Sequence, residues 1–415
     1  MNTADLSEQP TFMAARLRTD TSGSVTRQPE WVLPDYRGGS ILNLVESLTR
    51  RLGARPQPDA PPLRDEGVLG GLPAGKVVLL VIDGLGDHYL RCRGQGSLML
   101  SERRGSLTSV FPSTTASAVT TLSTGLAPAT HGLNGWVTRD HLGALILPLP
   151  MVDATDERPL ASPFHRRRLF PYRTLFQRIE RMSVVVSPAW LINSTYSRRH
   201  NRGAKRLPYD SLETLDDSIF SALAGSGRDV FVHAYYPGFD SLAHDVGIGS
   251  EALAEEFWRI DAMFGRLANR LAGSGTLTIV TADHGLIDAP LEEICLLGAH
   301  RELADMLAQP LWGERRAAWC ALRQGAGSEF SDALKDAFDT RVDALPAEQL
   351  TGMGLLGPGP AHRDLATRVG DMLLLPRAAG TLVNEVGIDG VSPMRAVHGG
   401  LSPVEMEVPL IALRC

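Results

Sequence analysis

The chain is poor in cysteine. Its four cysteines, Cys92, Cys295, Cys320 and Cys415, stand far apart and form no CxxC pair. That spacing argues against a disulfide framework or a cysteine-ligated zinc site and fits a reducing cytoplasm. Long apolar runs are missing too: none approaches the roughly 18 residues that a membrane-crossing helix needs. The first residues, MNTADLSEQPTFMAARLRTDTSG, carry no apolar leader core. The expectation is a cytoplasmic protein without a membrane partner. A basic excess is also absent, the net charge being −6, so no nucleic-acid polymer is expected as a partner. No internal repeat is visible. What is present is a chain of 415 residues, 43 % hydrophobic, enough for a sizeable core in one large domain with an insertion or in two or three smaller ones.

Residues 1 to about 35 are polar and without period, and read as a flexible tail. ARPQPDAPPLRDEG, residues 54–67, is a proline-rich linker unsuited to helix or central strand. GKVVLLVIDGLGD then opens with a continuous run of β-branched residues and leucine, the pattern of a strand buried on both faces of a parallel sheet. Similar runs recur at 183–189, 229–238 and 276–285. Between the last two, Leu253, Phe257, Ile260, Phe264, Leu267 and Leu271 fall three and four apart, one face of a helix ending near Gly273. Strand, helix, strand is a βαβ unit, so residues 36–290 read as an α/β core. Residues 291–394 change character. LEEICLLGAHRELADMLAQ has a helical pattern, RRAAWCALRQG and DMLLLP read as strands, and SDALKDAF reads as a helix. This is a smaller α+β insertion, after which residues 395–415 return a last strand to the core.

Acids and histidines follow the expected core strands: Asp83 after VVLLVI, Asp240 and His244 after the third run, and Asp283 and His284 after TLTIVT. In open α/β sheets ligands bind beyond the carboxyl ends of the strands. Carboxylates and imidazoles gathered there suit a divalent ion of the zinc type, with manganese and iron also compatible. A second concentration of chemistry lies in SVFPSTTASAVTTLSTG, residues 109–125, where nine of seventeen side chains carry hydroxyls. One of these alcohols could be a reagent.

The motifs IDG (82–84), FPSTT (111–115), TGLAPATHG (124–132), DSLAH (240–244), ADHG (282–285) and VHGG (397–400) occur in an order that resembles the alkaline phosphatase superfamily. They are most similar to its type I nucleotide pyrophosphatase/phosphodiesterase branch, over about residues 75–290 and 395–415. The resemblance implies a three-layer sandwich with a mostly parallel central sheet, and a site for two divalent ions, zinc by preference. It implies Thr115 as nucleophile, with Thr114 as the alternative. Asp83, Thr115, Asp283 and His284 would surround one ion, and Asp240, His244 and His398 the other. The implied reaction is hydrolysis of phosphodiester or pyrophosphate bonds in a small molecule through a phospho-threonine. Phosphomonoester or phosphonate hydrolysis on the same site, and a non-catalytic zinc scaffold, are the alternatives.

One position departs from the family pattern. Its phosphoryl-contacting asparagine would fall on Trp136 by direct count, and the nearest asparagine is Asn134, which becomes the expected substrate contact. Other residues take plainer roles. His131 orders its loop, His233 is a core histidine, and Asp87 and His88 start a helix. Ser113 and Thr114 lie in the turn, while Ser117 and Thr120 bond within the helix. The basic run FHRRRLFPYR (164–173) reads as solvated surface, and His300 and His362 have no partner spacing. The insertion, placed between the Asp283-His284 strand and His398, is expected to cover the crevice.

Overall fold

The computed structural model describes residues 31–69, 75–160, 162–225, 229–384 and 394–415. Most of the expected tail, residues 1–30, therefore lies outside the described residues. Its last part is not loose: Val32 donates its N–H to the Leu401 carbonyl.

A seven-stranded sheet organises the molecule. Its strands are β1 (Val77–Ile82), β2 (Arg103–Thr108), β3 (Met182–Pro188), β4 (Lys205–Tyr209), β5 (Val230–Tyr236), β6 (Leu277–Thr281) and β7 (Glu407–Arg414). They lie side by side in the order β2-β7-β6-β1-β5-β3-β4. Strand β1 pairs in parallel with β5 and β6, and β3 in parallel with β4 and β5. Only β7 runs against its neighbours β6 and β2. Strands β1 and β5 are buried along their whole length, which is why they read as unbroken apolar runs rather than alternating ones. The α/β class and the mostly parallel sheet are those expected.

The long helix Glu251–Leu271 starts where Ser250 accepts the Leu253 N–H. All six residues of its apolar stripe are buried. At roughly 1.5–3 kcal/mol for each such side chain, that face alone anchors the helix to the sheet.

A second, four-stranded antiparallel sheet is formed by Trp312–Glu314, Ala317–Cys320, Met372–Pro376 and Val342–Pro346. Helix Gly327–Phe338 packs its Phe330, Leu334 and Phe338 beside it. The expected helical stretch 291–309 is a correction. Leu291–Glu293 and Leu297–Ala299 are single 3-10 turns, and Arg301–Met306 is a short helix. Between the turns, Ile294–Leu296 is a strand paired in parallel with Thr381–Val383. Its apolar residues serve a strand of three residues with only Cys295 fully enclosed, and so short a run carries no period that separates helix from strand.

The chain direction explains the position of the site. Strands β1, β5 and β6 deliver the residues that follow them to one edge of the sheet. β2, antiparallel to the reversed β7, runs with them and delivers Ser109–Thr115 to the same edge. Because β7 is reversed, the residues that precede it, including His398, also arrive there.

Candidate two-metal active site

Asp83 is the first residue after β1. Gly84 then turns with φ +75°, and a Cβ on it would stand 2.9 Å from the Asp240 Cβ. The turn thus needs glycine both for its left-handed backbone and for the approach of Asp240. The Gly84 N–H donates to Asp283 Oδ1 at 3.1 Å, and the His284 N–H donates to the same oxygen at 3.0 Å. Asp283 Oδ2 is left without a partner, as are Asp83 Oδ1, Asp240 Oδ1 and His398 Nδ1, all buried. Tyr235 holds the other oxygen of Asp83 by its hydroxyl.

Two triplets of ligand atoms result: Asp83, Asp283 and His284, and Asp240, His244 and His398. Within each, the ligand atoms all lie within 4.8 Å of one another. His284 Nε2 is 3.4 Å from both Asp83 Oδ1 and Asp283 Oδ2. His244 Nε2 is 3.2 Å from Asp240 Oδ2, and His398 Nε2 is 3.9 Å from Asp240 Oδ1. The triplets adjoin, since the His284 and His398 rings stack at 3.7 Å. The Nδ1 atoms of His244 and His284 face the carbonyls of Ala396 at 2.6 Å and Gly285 at 3.1 Å. A carbonyl only accepts, so each Nδ1 carries a proton and each Nε2 faces the site, where it would offer a lone pair to a cation once any second proton had left.

Without a cation this assembly is electrostatically unfavourable. Burial, with the charges of Asp283 and Asp240, pushes the Asp83 carboxyl well above the carboxylate range. Burial pushes Asp283 up as well. It would do the same to Asp240, but the bond to His244 and the neighbouring imidazoles hold that group below its ordinary value. Burial alone would lower His244, but Asp240 outweighs it and the imidazole is pushed up to about 9. Three crowded carboxylates with orphaned oxygens and three imidazoles are the donor set of divalent zinc-like ions, so the residues fit a pair of metals.

Thr115 is the first residue of helix Thr115–Thr124, whose N-cap is Thr114. Its Oγ1 lies 3.2 Å from His284 Nε2. The helix N-terminus adds a partial positive charge where an anion would sit. The neighbouring alcohols are committed elsewhere. Thr114 donates to Glu314, Ser113 to the Gly400 carbonyl and Ser117 to the Leu133 carbonyl. Ser117 therefore leaves its own helix, contrary to expectation, while Thr120 bonds the Ala116 carbonyl within it.

Asn134 is buried, and both ends of its amide are bonded. Its Nδ2 donates to the Arg368 carbonyl at 2.7 Å and its Oδ1 accepts from Thr138 at 2.7 Å. These two bonds close a loop, and the second Nδ2 hydrogen is the one that a phosphoryl oxygen could accept. His131 orders its own loop, accepting the Leu133 N–H at Nδ1. His233 is buried in β5, though its Nε2 lacks a partner.

Two residues near the centre escaped the reading of the sequence. Tyr235 belongs to a run legible only as a strand. Glu314 comes from the second sheet and accepts both the Thr114 hydroxyl and, at 2.6 Å, the Trp136 N–H. Burial pushes its carboxyl up to about 7 in spite of those two bonds. WGERR matches no motif, so only the tertiary fold reveals it.

Comparison with known proteins bears on what this geometry does. None of the curated proteins matches the chain in sequence. Among solved structures it is similar to human ectonucleotide pyrophosphatase/phosphodiesterase 5, with a TM-score of 0.61 and 18 % identity over 81 % of this chain and 87 % of that one. The murine protein in an inactive form in complex with AMP gives 0.60 and 17 % over the same shares. Phosphonoacetate hydrolase from Sinorhizobium meliloti 1021, in complex with phosphonoacetate, gives 0.59 and 19 % over 82 % and 90 %. These likenesses establish the fold. The model of the type I phosphodiesterase/nucleotide pyrophosphatase family matches residues 77–378, more than half of the chain. Enzymes of that family are hydrolases that use two divalent metals. A match of that extent, spanning the residues from Asp83 to Glu314, makes this chain a member of the type I phosphodiesterase/nucleotide pyrophosphatase family.

Proposed function

We propose that the chain hydrolyses phosphodiester or pyrophosphate bonds of a small molecule through a phospho-threonine on Thr115. The observation that carries this reading is the Thr115 hydroxyl, 3.2 Å from His284 Nε2, at a helix N-terminus beside the two ligand triplets. One metal, zinc by preference, would be held by Asp83, Thr115, Asp283 and His284, and the other by Asp240, His244 and His398. Such ions polarise phosphoryl oxygens and favour ionised nucleophiles at neutral pH.

The protein's own groups do the rest. Thr115 Oγ attacks phosphorus as the bond to the leaving oxygen breaks, and the leaving alkoxide or phosphate departs opposite the helix N-terminus. The backbone N–H groups of that first turn receive the negative charge of the phosphoryl oxygens. A water then attacks phosphorus, the Thr115 ester bond breaks, and a phosphomonoester leaves with the threonine restored. Glu314 holds the Thr114 side of the nucleophile turn against Trp136. That the four cysteines are all unpaired supports a reducing compartment, and no helix among the described residues is long and apolar enough to cross a membrane.

The test compares bis-p-nitrophenyl phosphate, p-nitrophenyl phosphate and phosphonoacetate on zinc-loaded protein, with Thr115→Ala as control. Faster diester cleavage, lost in the variant, is the expected result. Preference for the monoester or the phosphonate would move the substrate class while keeping the nucleophile. Full diester activity in Thr115→Ala would overturn the mechanism.

A further inference from the structure

Among the described residues a third group of metal-ligating side chains meets the same condition as the two triplets of the active site. Asp140, His141 and His165 bring one ligand atom each to within 4.8 Å of one another. We propose that they form a separate site for one divalent transition-metal ion of the zinc class, which clips the hairpin after the nucleophile helix to helix Pro163–Leu169.

The distances favour an ion over hydrogen bonding. Asp140 Oδ2 lies 3.8 Å from His141 Nδ1 and 3.5 Å from His165 Nε2. Both separations exceed the 2.7–3.2 Å of an N–H···O bond. Ligands about 2.0–2.2 Å from a tetrahedral ion stand about 3.3–3.6 Å apart, close to what is found. The carboxylate is also prepared for the task. Its Oδ1 accepts the N–H groups of Leu142 at 2.7 Å and Ala144 at 3.0 Å, which fixes the carboxylate plane and leaves Oδ2 to the imidazoles. Asp140 is buried, whereas the two histidines are partly exposed, leaving a fourth position open to solvent. Two of the neighbouring cations are tied elsewhere. Arg139 bonds the Thr367 carbonyl and lies over the Trp312 ring, and Arg168 pairs with Asp364.

The site has a physical purpose. The excursion from residue 138 to 169 is built from strands of two or three residues, Thr138–Arg139, Leu145–Leu147 and Val152–Asp153, and one short helix. The apolar cluster beneath it is small, with Ile146, Met151, Leu169 and Phe170 among its members. Such a segment gains from a metal that closes its ends. The foot of the hairpin, Trp136 and Val137, bonds Glu314 and Gly313 beside the nucleophile turn. An ion at Asp140 therefore steadies one wall of the active-site crevice. It takes no part in the chemistry.

The test is metal content by mass spectrometry on the zinc-reconstituted full chain, with zinc-dependent melting as a second readout. His165→Gln is the principal variant and His141→Gln the second, because Asp140 also supports its turn. The wild type is expected to hold one more zinc per chain than either variant. Each variant should melt several degrees lower in zinc, with diester hydrolysis within about twofold of the wild type, since no ligand of the catalytic pair is touched. Equal zinc content in wild type and both variants, with equal melting, would overturn the proposal. The catalytic pair is tracked separately by diester hydrolysis, so loss of one reading leaves the other standing.

Discussion

The hydroxyl oxygen of Thr115 lies 3.2 Å from Nε2 of His284, 169 residues further along the chain. One belongs to the first turn of a helix and the other to the loop after a central strand. Their meeting joins an alcohol to a cluster of buried carboxylates and imidazoles. Replacement of Thr115 by alanine is expected to lower diester turnover by about a thousandfold or more while zinc content and melting stay unchanged. Single-turnover kinetics and metal analysis of one preparation check both halves. Loss of zinc along with activity would make Thr115 chiefly a structural ligand.

On the proposed reading, metal retention should depend on groups around the ligands as well as on the ligands themselves. Tyr235 donates its hydroxyl to Asp83 and fixes that carboxylate. Tyr235→Phe is expected to weaken metal binding by about 10–100-fold without unfolding the sheet. His398→Ala should lose one ion outright. Competition with a chromophoric chelator measures both. Prolonged chelation should abolish diester hydrolysis and added zinc restore it; activity surviving complete metal removal would refute the two-metal reading.

Glu314 accepts from Thr114 and from the Trp136 N–H, holding together the turn that carries Thr115 and the loop at Trp136. Glu314→Gln keeps an acceptor for both donors and should retain most of the activity. Glu314→Ala leaves two donors unpaired and should lower kcat/KM by about tenfold or more, since an unsatisfied buried group costs roughly 1–3 kcal/mol. Equal activity in both variants would show that neither contact matters to turnover.

The motif carrying His398 is anchored to the second sheet by a buried ion pair. Arg316 Nη2 lies 2.9 Å from Glu405 Oε2, and Glu405 also accepts from Gly400 and Ser402. Burial would raise the Glu405 carboxyl, but Arg316 and these bonds outweigh it and hold it below the ordinary value. A depressed carboxylate contributes stability that is fully present above its unfolded value of about 4.3 and is lost as pH falls through the lower folded value. Melting temperature should therefore drop below about pH 4 in the wild type, and Arg316→Met should remove that share of the dependence. The same variant, by stranding a buried carboxylate, is expected to cost about 3–5 kcal/mol.

Asn134 makes a different forecast. With one Nδ2 hydrogen and Oδ1 bonded inside the protein, Asn134→Ala should cost about 1–3 kcal/mol of stability. The KM for diester substrates should rise no more than the loss of folded protein explains. A large rise in KM at unchanged stability would show that Asn134 contacts the substrate.

Much of this molecule was present in local pattern. The buried strands β1, β5 and β6 read as apolar runs because every residue of each is buried, on both faces of the sheet. The helix Glu251–Leu271 is legible because its stripe repeats every three or four residues. Asp83, Asp240, His244, Asp283 and His284 stood out because they come within eight residues after such strands. Other features depend on contacts distant in sequence. His398 reaches the edge of the sheet because β7 is reversed, a fact of pairing rather than of composition. Ile294–Leu296 is a strand because Thr381–Val383 lies beside it. Glu314 matters because its sheet brings it against Thr114, and the group of Asp140, His141 and His165 exists because a helix folds back on a hairpin. Periodicity reports which face of an element is buried; which elements meet is decided by the packing of the whole chain.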